Sequence, residues 1–281
     1  MVRWIGLTLG YLAVSVVMTW PLMNYSHLAT ASYPGDARLI MWTLAWDNHA
    51  TIGGLPLFDS NIYYPAANSL SHNDHLFGLS LFTLPIHVAT RNPALAYNLV
   101  WLLSYLLSGI SMHALLRRYV PSDLAAFAGS LVFTFSFYKM LHGHGHLQQV
   151  WTWLIPVSVL CLERWRERPT MTRALIWAVT VVLQALSSWY LAVIVGVVQA
   201  VVAAVAAAAL IRDRGARRLW QLAAAAALGM AVIWPFARHY QALAVTDVRE
   251  AALYSADVAG YLVPPENTWT FTSSVGTRTG T

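Results

Sequence analysis

The turn Ser32-Tyr33-Pro34-Gly35-Asp36-Ala37-Arg38 sets a carboxylate shortly after the first long apolar run, Trp4 to Met23. Proline and glycine end the preceding structure and fix a turn, so Asp36 stands at the start of a new segment. There it either N-caps a helix beginning at Ala37 or serves as a general base at a membrane surface. Two other polar groups lie far away in sequence: Lys139-Met140-Leu141-His142-Gly143-His144-Gly145-His146, and Arg238-His239. An acid flanked by such groups suits recognition of a phosphate or pyrophosphate together with proton abstraction from a hydroxyl. The carboxylate takes the proton, and the cations stabilise the leaving phosphate as its charge develops. Lys139 and Arg238 also have a simpler use, snorkelling to lipid headgroups. The alternating His-Gly spacing matches no strong metal site and its glycines work against a rigid one, so no metal is expected.

Hydrophobic residues make up 58% of the 281 positions, charged ones 10%, and the mean hydropathy is +0.53. That composition excludes an ordinary soluble domain. Several apolar runs approach the roughly 20 residues that cross hydrocarbon, and the short alternating segments of a membrane barrel are absent. The expected fold is all-α, a polytopic integral membrane helical bundle. Its net charge of +5 sits in short clusters between apolar runs, which orients the chain in a bilayer and implies no nucleic-acid surface. Cys161 stands alone, so neither an intrachain disulfide nor a cysteine-based metal site can form. No Walker loop, dinucleotide-binding glycine pattern or Gly-x-Ser-x-Gly elbow is present, which argues against a nucleotide-driven pump. No cofactor is expected.

Seven spans follow from the apolar pattern: Trp4–Met23, Ala94–Leu116, Leu124–Phe137, Val150–Leu162, Ala174–Ser187, Leu191–Ile211 and Leu219–Phe236. The external loop 24–93 is expected to hold a short amphipathic helix around Leu39–Trp46, lying in the interface where tryptophan is at home. Leu76–Ala89 is too short for a comfortable span and contains Pro85, so it reads as a surface or re-entrant helix. If it does not cross, the clusters Arg117-Arg118, Arg164 to Arg173 and Arg212 to Arg218 all face the cytoplasm, as the positive-inside rule requires. The N-terminus is then cytoplasmic, in a bacterial inner membrane, and the candidate site is extracytoplasmic. Residues 1–265 form one membrane domain, with Tyr261–Pro265 an external turn and the Thr/Ser/Gly-rich tail 266–281 disordered. His72, Asp74 and His75 read as a solvated loop, Trp189 and Tyr190 as an aromatic belt, and Asp123 as a helix cap. His87 and His113 read as hydrogen-bonded structural residues.

Several stretches together resemble bacterial GT-C-type membrane glycosyltransferases and their uncharacterised polytopic relatives. They are Tyr33-Pro34-Gly35-Asp36 with Trp42 and Trp46, Leu57-Phe58-Asp59 before Tyr63-Tyr64-Pro65, and Ala96-Tyr97-Asn98-Leu99. Leu115-Leu116-Arg117-Arg118, Gly145-His146-Leu147 and Ser187-Ser188-Trp189-Tyr190 complete the likeness, which covers most of residues 1–265. It implies a large first extracytoplasmic loop holding a catalytic aspartate, a polyprenyl-phosphate-linked sugar donor, and inverting transfer to an acceptor. Asp36 matches that aspartate. Asp59, Lys139, His142, His144, His146, Arg238 and His239 are then the candidates for holding substrate. Such enzymes have more spans and often a soluble C-terminal domain, so a truncated or reduced relative is expected. Two other readings stay open: a carrier or flippase for lipid-linked intermediates, with Ser104, Ser108, Ser111, His113, Gln184 and Gln199 lining its path, and an inactive membrane scaffold.

Overall fold

A computed structural model describes residues 2–20, 22–27, 34–143, 145–212 and 218–241 of the chain. His144, the turn at 261–265 and the tail at 266–281 lie outside them. Twelve α-helices occur among the described residues, with no strand. They are α1 (Val2–Met18), α2 (Leu22–Tyr25), α3 (Pro34–Gly53), α4 (Phe77–Thr90), α5 (Pro93–Leu116), α6 (Asp123–Thr134) and α7 (Phe137–Gly143). After these come α8 (Leu147–Val150), α9 (Leu154–Glu167), α10 (Met171–Ser187), α11 (Trp189–Arg212) and α12 (Leu219–Ala237), with 3-10 turns at Ser69–His72 and Arg238–Tyr240.

Local chemistry sets many of these ends. The Asn92 side chain accepts from the Leu95 amide at 3.0 Å and Pro93 follows at the first helical position, so α5 starts there. Ser122 caps α6 by accepting from Ala125, and Thr170 caps α10 by accepting from Arg173. Asp123 is therefore not the expected cap: it sits one residue inside, paired with Arg3 and, at 2.8 Å, with Arg117. Two expected spans are also interrupted. The first run breaks after Met18, and Leu124–Phe137 continues past a 45° bend into α7.

Ion pairs and loop hydrogen bonds define two ends of the bundle. At one end Arg3, Arg117 and Asp123 meet, Arg118 binds Glu163 at 2.8 Å and also Glu167, and the Arg173 guanidinium donates to the Arg164 carbonyl. At the other end the Asn98 amide donates to the Ser26 carbonyl at 2.7 Å and the Asn92 amide to the His27 carbonyl at 3.0 Å. Helices α1 and α5 are thus antiparallel neighbours, and the long connection between them leaves and returns at one end. Seven helical passages alternate between the two ends: α1, α5, α6 with α7, α9, α10, α11 and α12. Helices α5, α11 and α12 are long and apolar enough to cross a membrane, and a fourth span results if α6 and α7 count as one.

Within the connection, α4 lies within a residue of the expected Leu76–Ala89 helix. Helix α3 differs. It is a 20-residue helix, longer than expected, and its buried face mixes Thr43, Asp47 and Asn48 with Ala37, Ile40 and Leu44, so it has no apolar stripe. Ala37, Ile40 and Leu44 join Leu76 and Leu79 of the α4 region, Tyr97, Val100 and Trp101 of α5, and Trp151 in one buried cluster. Each large side chain fully enclosed there contributes about 1.5–3 kcal/mol. Gly78 lets α4 cross the end of α10, because a Cβ at that position would lie 2.5 Å from Ser187 Oγ and 2.8 Å from the Leu183 carbonyl.

Two measurements check this arrangement. Gly78→Val separates α4 from α10 and lowers stability by about 2 kcal/mol, read as a lower melting temperature in detergent. In a Cys161→Ser background, cysteines replacing Thr51 and Thr90 are labelled by a membrane-impermeant maleimide from one face of sealed vesicles. A cysteine replacing Arg168 is labelled from the opposite face.

Candidate functional site

Asp36 lies in the first turn of α3, with its side chain 64% exposed and Oδ2 3.0 Å from His146 Nε2. The helix opens at Pro34, ahead of the expected start at Ala37, so Asp36 lies inside its first turn rather than at its N-cap, and a Cβ added at Gly145 would lie 3.8 Å from the Asp36 Cβ. His142 joins them: its ring centre is 6.0 Å from that of His146, and its Nδ1 lies 2.9 Å from the Tyr138 carbonyl. The carboxylate, two histidines and the end of α7 thus come together from positions about a hundred residues apart. One carboxylate oxygen faces an imidazole while the side chain stays open to water, an arrangement competent for proton abstraction from a bound hydroxyl.

Lys139 does not join them. It is 2% exposed, enclosed beside the bend between α6 and α7. Its Nζ donates to Ser108 Oγ at 2.7 Å and lies 5.0 Å from the centre of the Tyr105 ring, a cation–π contact. The Tyr105 hydroxyl and the Trp101 indole close the same corner by donating to the Lys139 and Gly143 carbonyls. Lys139 holds the bend and presents no charge to a substrate, contrary to the sequence expectation.

Arg238, His239 and Asp59 gather at a second place, a cleft of about 640 Å³. Its walls are mainly apolar, with Leu55, Leu57, Phe58, Phe77 and Phe236 among them. His239 stacks on Phe58 at 3.8 Å between ring centres, and its Nδ1 lies 2.7 Å from Asn68 Oδ1. Asn68 donates from its backbone amide to Asp59 and from its side chain to the His239 carbonyl.

On the far side of the Arg238–Tyr240 turn is a second cleft, of about 480 Å³, lined by Asn73, Asp74, Gln148, Gln149, Tyr190 and Tyr240 among others. Here the structure overturns the reading of Asp74 and His75 as solvated loop, while His72 is exposed as expected. Asp74 is held by Ser188 Oγ and the Trp189 amide, and its pKa is raised above the ordinary carboxylate value chiefly by burial. His75 is enclosed by Phe58, Trp189, Phe236 and Tyr240, and its Nδ1 accepts from the Phe77 amide at 3.0 Å. Trp189 packs edge-on against Tyr240, whose hydroxyl donates to the Asn73 carbonyl, so it belongs to this wall as well as to any aromatic belt. Beneath it on α3, Asp47 is fully buried with neither carboxylate oxygen hydrogen-bonded, and burial pushes its pKa well above the usual range. Sequence reasoning passed over Gln148, Gln149 and Tyr240 altogether. The one available signal was the Asp74-His75 pair standing directly before an apolar run.

Other polar residues are engaged locally. Ser104, Ser108 and Ser111 donate to carbonyls of their own helix, Gln184 donates to the Trp151 carbonyl, and Gln199 bridges Ser158 and Trp177. His113 lies 2.9 Å from Tyr11 Oη, the structural role expected for it. Among the described residues, no three of His, Cys, Asp and Glu are placed to hold a metal ion.

The enclosed imidazole gives a pH test. Burial lowers the pKa of His75 from 6.5 to about 3, so the neutral ring stabilises the fold fully above pH 6.5 and this contribution is lost as pH falls toward 3. The loss amounts to as much as about 1.4 kcal/mol per pH unit. Melting curves at pH 7 and pH 4.5 should show a larger acid-induced drop for the wild type than for His75→Gln.

Comparison with characterised proteins returns no match, and comparison with solved structures returns none. A family match, by contrast, runs over residues 7–280, from within α1 to beyond the last described element. The chain belongs to the family described as a domain of unknown function, DUF6311.

Proposed function

We propose that this chain is a membrane glycosyltransferase of the GT-C type, acting on a polyprenyl-phosphate-linked sugar at the membrane face that carries residues 24–93. The observation that carries the reading is the Asp36–His146 pair, an exposed carboxylate held at 3.0 Å by an imidazole at the bundle end where the long connection lies. Asp36 takes the proton of an acceptor hydroxyl as that oxygen attacks the anomeric carbon. His146 fixes the carboxylate so that its free oxygen faces the acceptor. The bond from the anomeric carbon to the phosphate oxygen breaks, the configuration inverts, and polyprenyl phosphate leaves with the electron pair. The apolar cleft bordered by Arg238 suits the lipid part of such a donor, because its walls accept an isoprenoid chain and its cation attracts a phosphate.

The arginine-rich end, gathered by Arg3, Arg117, Arg118, Arg164 and Arg173, then faces the cytoplasm of an inner membrane, and the seven passages are seven spans. Passages as short as the 14 residues of α9 cross with help from their aromatic and polar flanks. The carrier reading is weaker, because the polar residues that would line its path bond to carbonyls and to one another. An inactive scaffold gives no reason for an exposed carboxylate paired with histidine.

Purified protein in lipid nanodiscs is supplied with polyprenyl-phosphate hexoses and a crude envelope acceptor fraction. Asp36→Asn should lower sugar transfer by roughly a hundredfold or more while leaving the melting temperature unchanged. His146→Ala should lower it less. Undiminished transfer by Asp36→Asn rejects the assignment.

A further inference from the structure

The cleft beside Asp74 has a chemistry of its own. Carboxamides from Asn73, Gln148 and Gln149, a carboxylate from Asp74, the Ser71 hydroxyl, the His72 imidazole and the rings of Trp189, Tyr190 and Tyr240 line it, with no lysine or arginine among the described lining residues. At about 480 Å³ it lies within the roughly 300–1,000 Å³ of small-molecule sites. Asp74 is half-buried in that lining, with one carboxylate oxygen held by Ser188 Oγ at 3.3 Å. Tyr190 offers the opposite surface, an aromatic side chain 60% exposed at the start of α11.

Each sugar hydroxyl both donates and accepts, which is what carboxamides and a carboxylate at neighbouring positions match. The C–H bonds on the face of a pyranose carry slight positive charge and pack on the negative face of an aromatic ring. The Asp74 carboxylate and the lack of a lining lysine or arginine work against an anionic sugar.

We infer that the cleft lined by Asn73, Asp74, Gln148, Gln149, Tyr190 and Tyr240 is a binding site for a neutral hexose, with Asp74 accepting a hydroxyl proton and Tyr190 packing on its ring. Gln148 and Gln149 follow His146 directly along the chain, so the cleft adjoins the Asp36–His146 pair. The role of the site in transfer rests on the proposed glycosyltransferase activity; its ligand class rests on the lining alone.

Saturation-transfer NMR on the full chain in lipid nanodiscs, free of sugar-based detergent, tests it with the methyl glycosides of glucose, mannose and galactose. D-glucuronate serves as the anionic control. At least one neutral glycoside should receive saturation and glucuronate should not. Asp74→Asn and Tyr190→Ala should each weaken the bound glycoside by roughly tenfold; the Tyr190 ring is largely exposed, so its removal spares the fold. No signal from any neutral glycoside, equal signal from glucuronate, or unchanged binding in both variants overturns the inference. The two proposals fail separately. Hexose binding without any transfer in the wild type rejects the transferase and keeps this site, whereas transfer that is untouched by Asp74→Asn and Tyr190→Ala rejects the site and keeps the transferase.

Discussion

Two side-chain amides at the start of α5 close the long first connection. Asn98 and Asn92 donate to the carbonyls of Ser26 and His27, just beyond α1. A carbonyl without a partner near hydrocarbon is costly, because no water is at hand to replace the missing bond. Satisfying these two carbonyls from α5 fixes where the connection begins relative to where it ends. The segment between must therefore fold back on one end of the bundle, and α3 and α4 do so by burying Ile40, Leu44, Leu76 and Leu79 against α5. Asp36 is carried at the start of α3, so its meeting with His146 depends on the same closure.

Charge is sorted along the bundle. The end with Arg117 and Arg118 is built from guanidinium–carboxylate pairs, several of them partly exposed, which individually contribute little to stability but agree on one orientation. The other end carries aromatic rings, histidines and two enclosed aspartates. Between the ends, Ser104, Ser108, Ser111, Gln184 and Gln199 are tied to nearby carbonyls or to other side chains, which suits a low-dielectric bundle. Lys139 is the exception in kind. Among the described residues no carboxylate lies within ion-pair distance of it, and its amine is held by a serine hydroxyl and an aromatic face at a helix bend.

The apolar runs made the helices legible, and the run Leu76–Ala89 located α4 to within a residue. Asp36 and the histidine turn were readable as one polar group, but nothing in the sequence singled out His146 as the partner of Asp36. Helix α3 was not read at full length. Asp36, Arg38 and Asp47 lower its hydropathy, and its buried face mixes Thr43, Asp47 and Asn48 with Ala37, Ile40 and Leu44, so no apolar stripe marks it. Lys139 was misplaced because a cation near an apolar run looks like a headgroup contact, and only packing shows it enclosed. The wall around Asp74 could not be read at all. Ser188 reaches Asp74 across 114 positions and Tyr240 reaches Asn73 across 167, and periodicity carries no trace of such pairs.

The Arg238–Tyr240 turn gives the two clefts a shared partition. His239 faces the apolar cleft and Tyr240 the polar one, although they are consecutive residues. Each is anchored to the same loop, His239 through Asn68 and Tyr240 through Asn73, with His75 and Phe236 filling the space behind. A cleft with apolar walls and a cation suits a lipid phosphate, and one with a carboxylate and carboxamides suits a neutral sugar. A donor that joins those two chemistries through one bond would need them held side by side. In the transferase reading, a single short turn at the end of α12 sets that spacing, and the loop that latches the turn also carries Asp59 and Asp74.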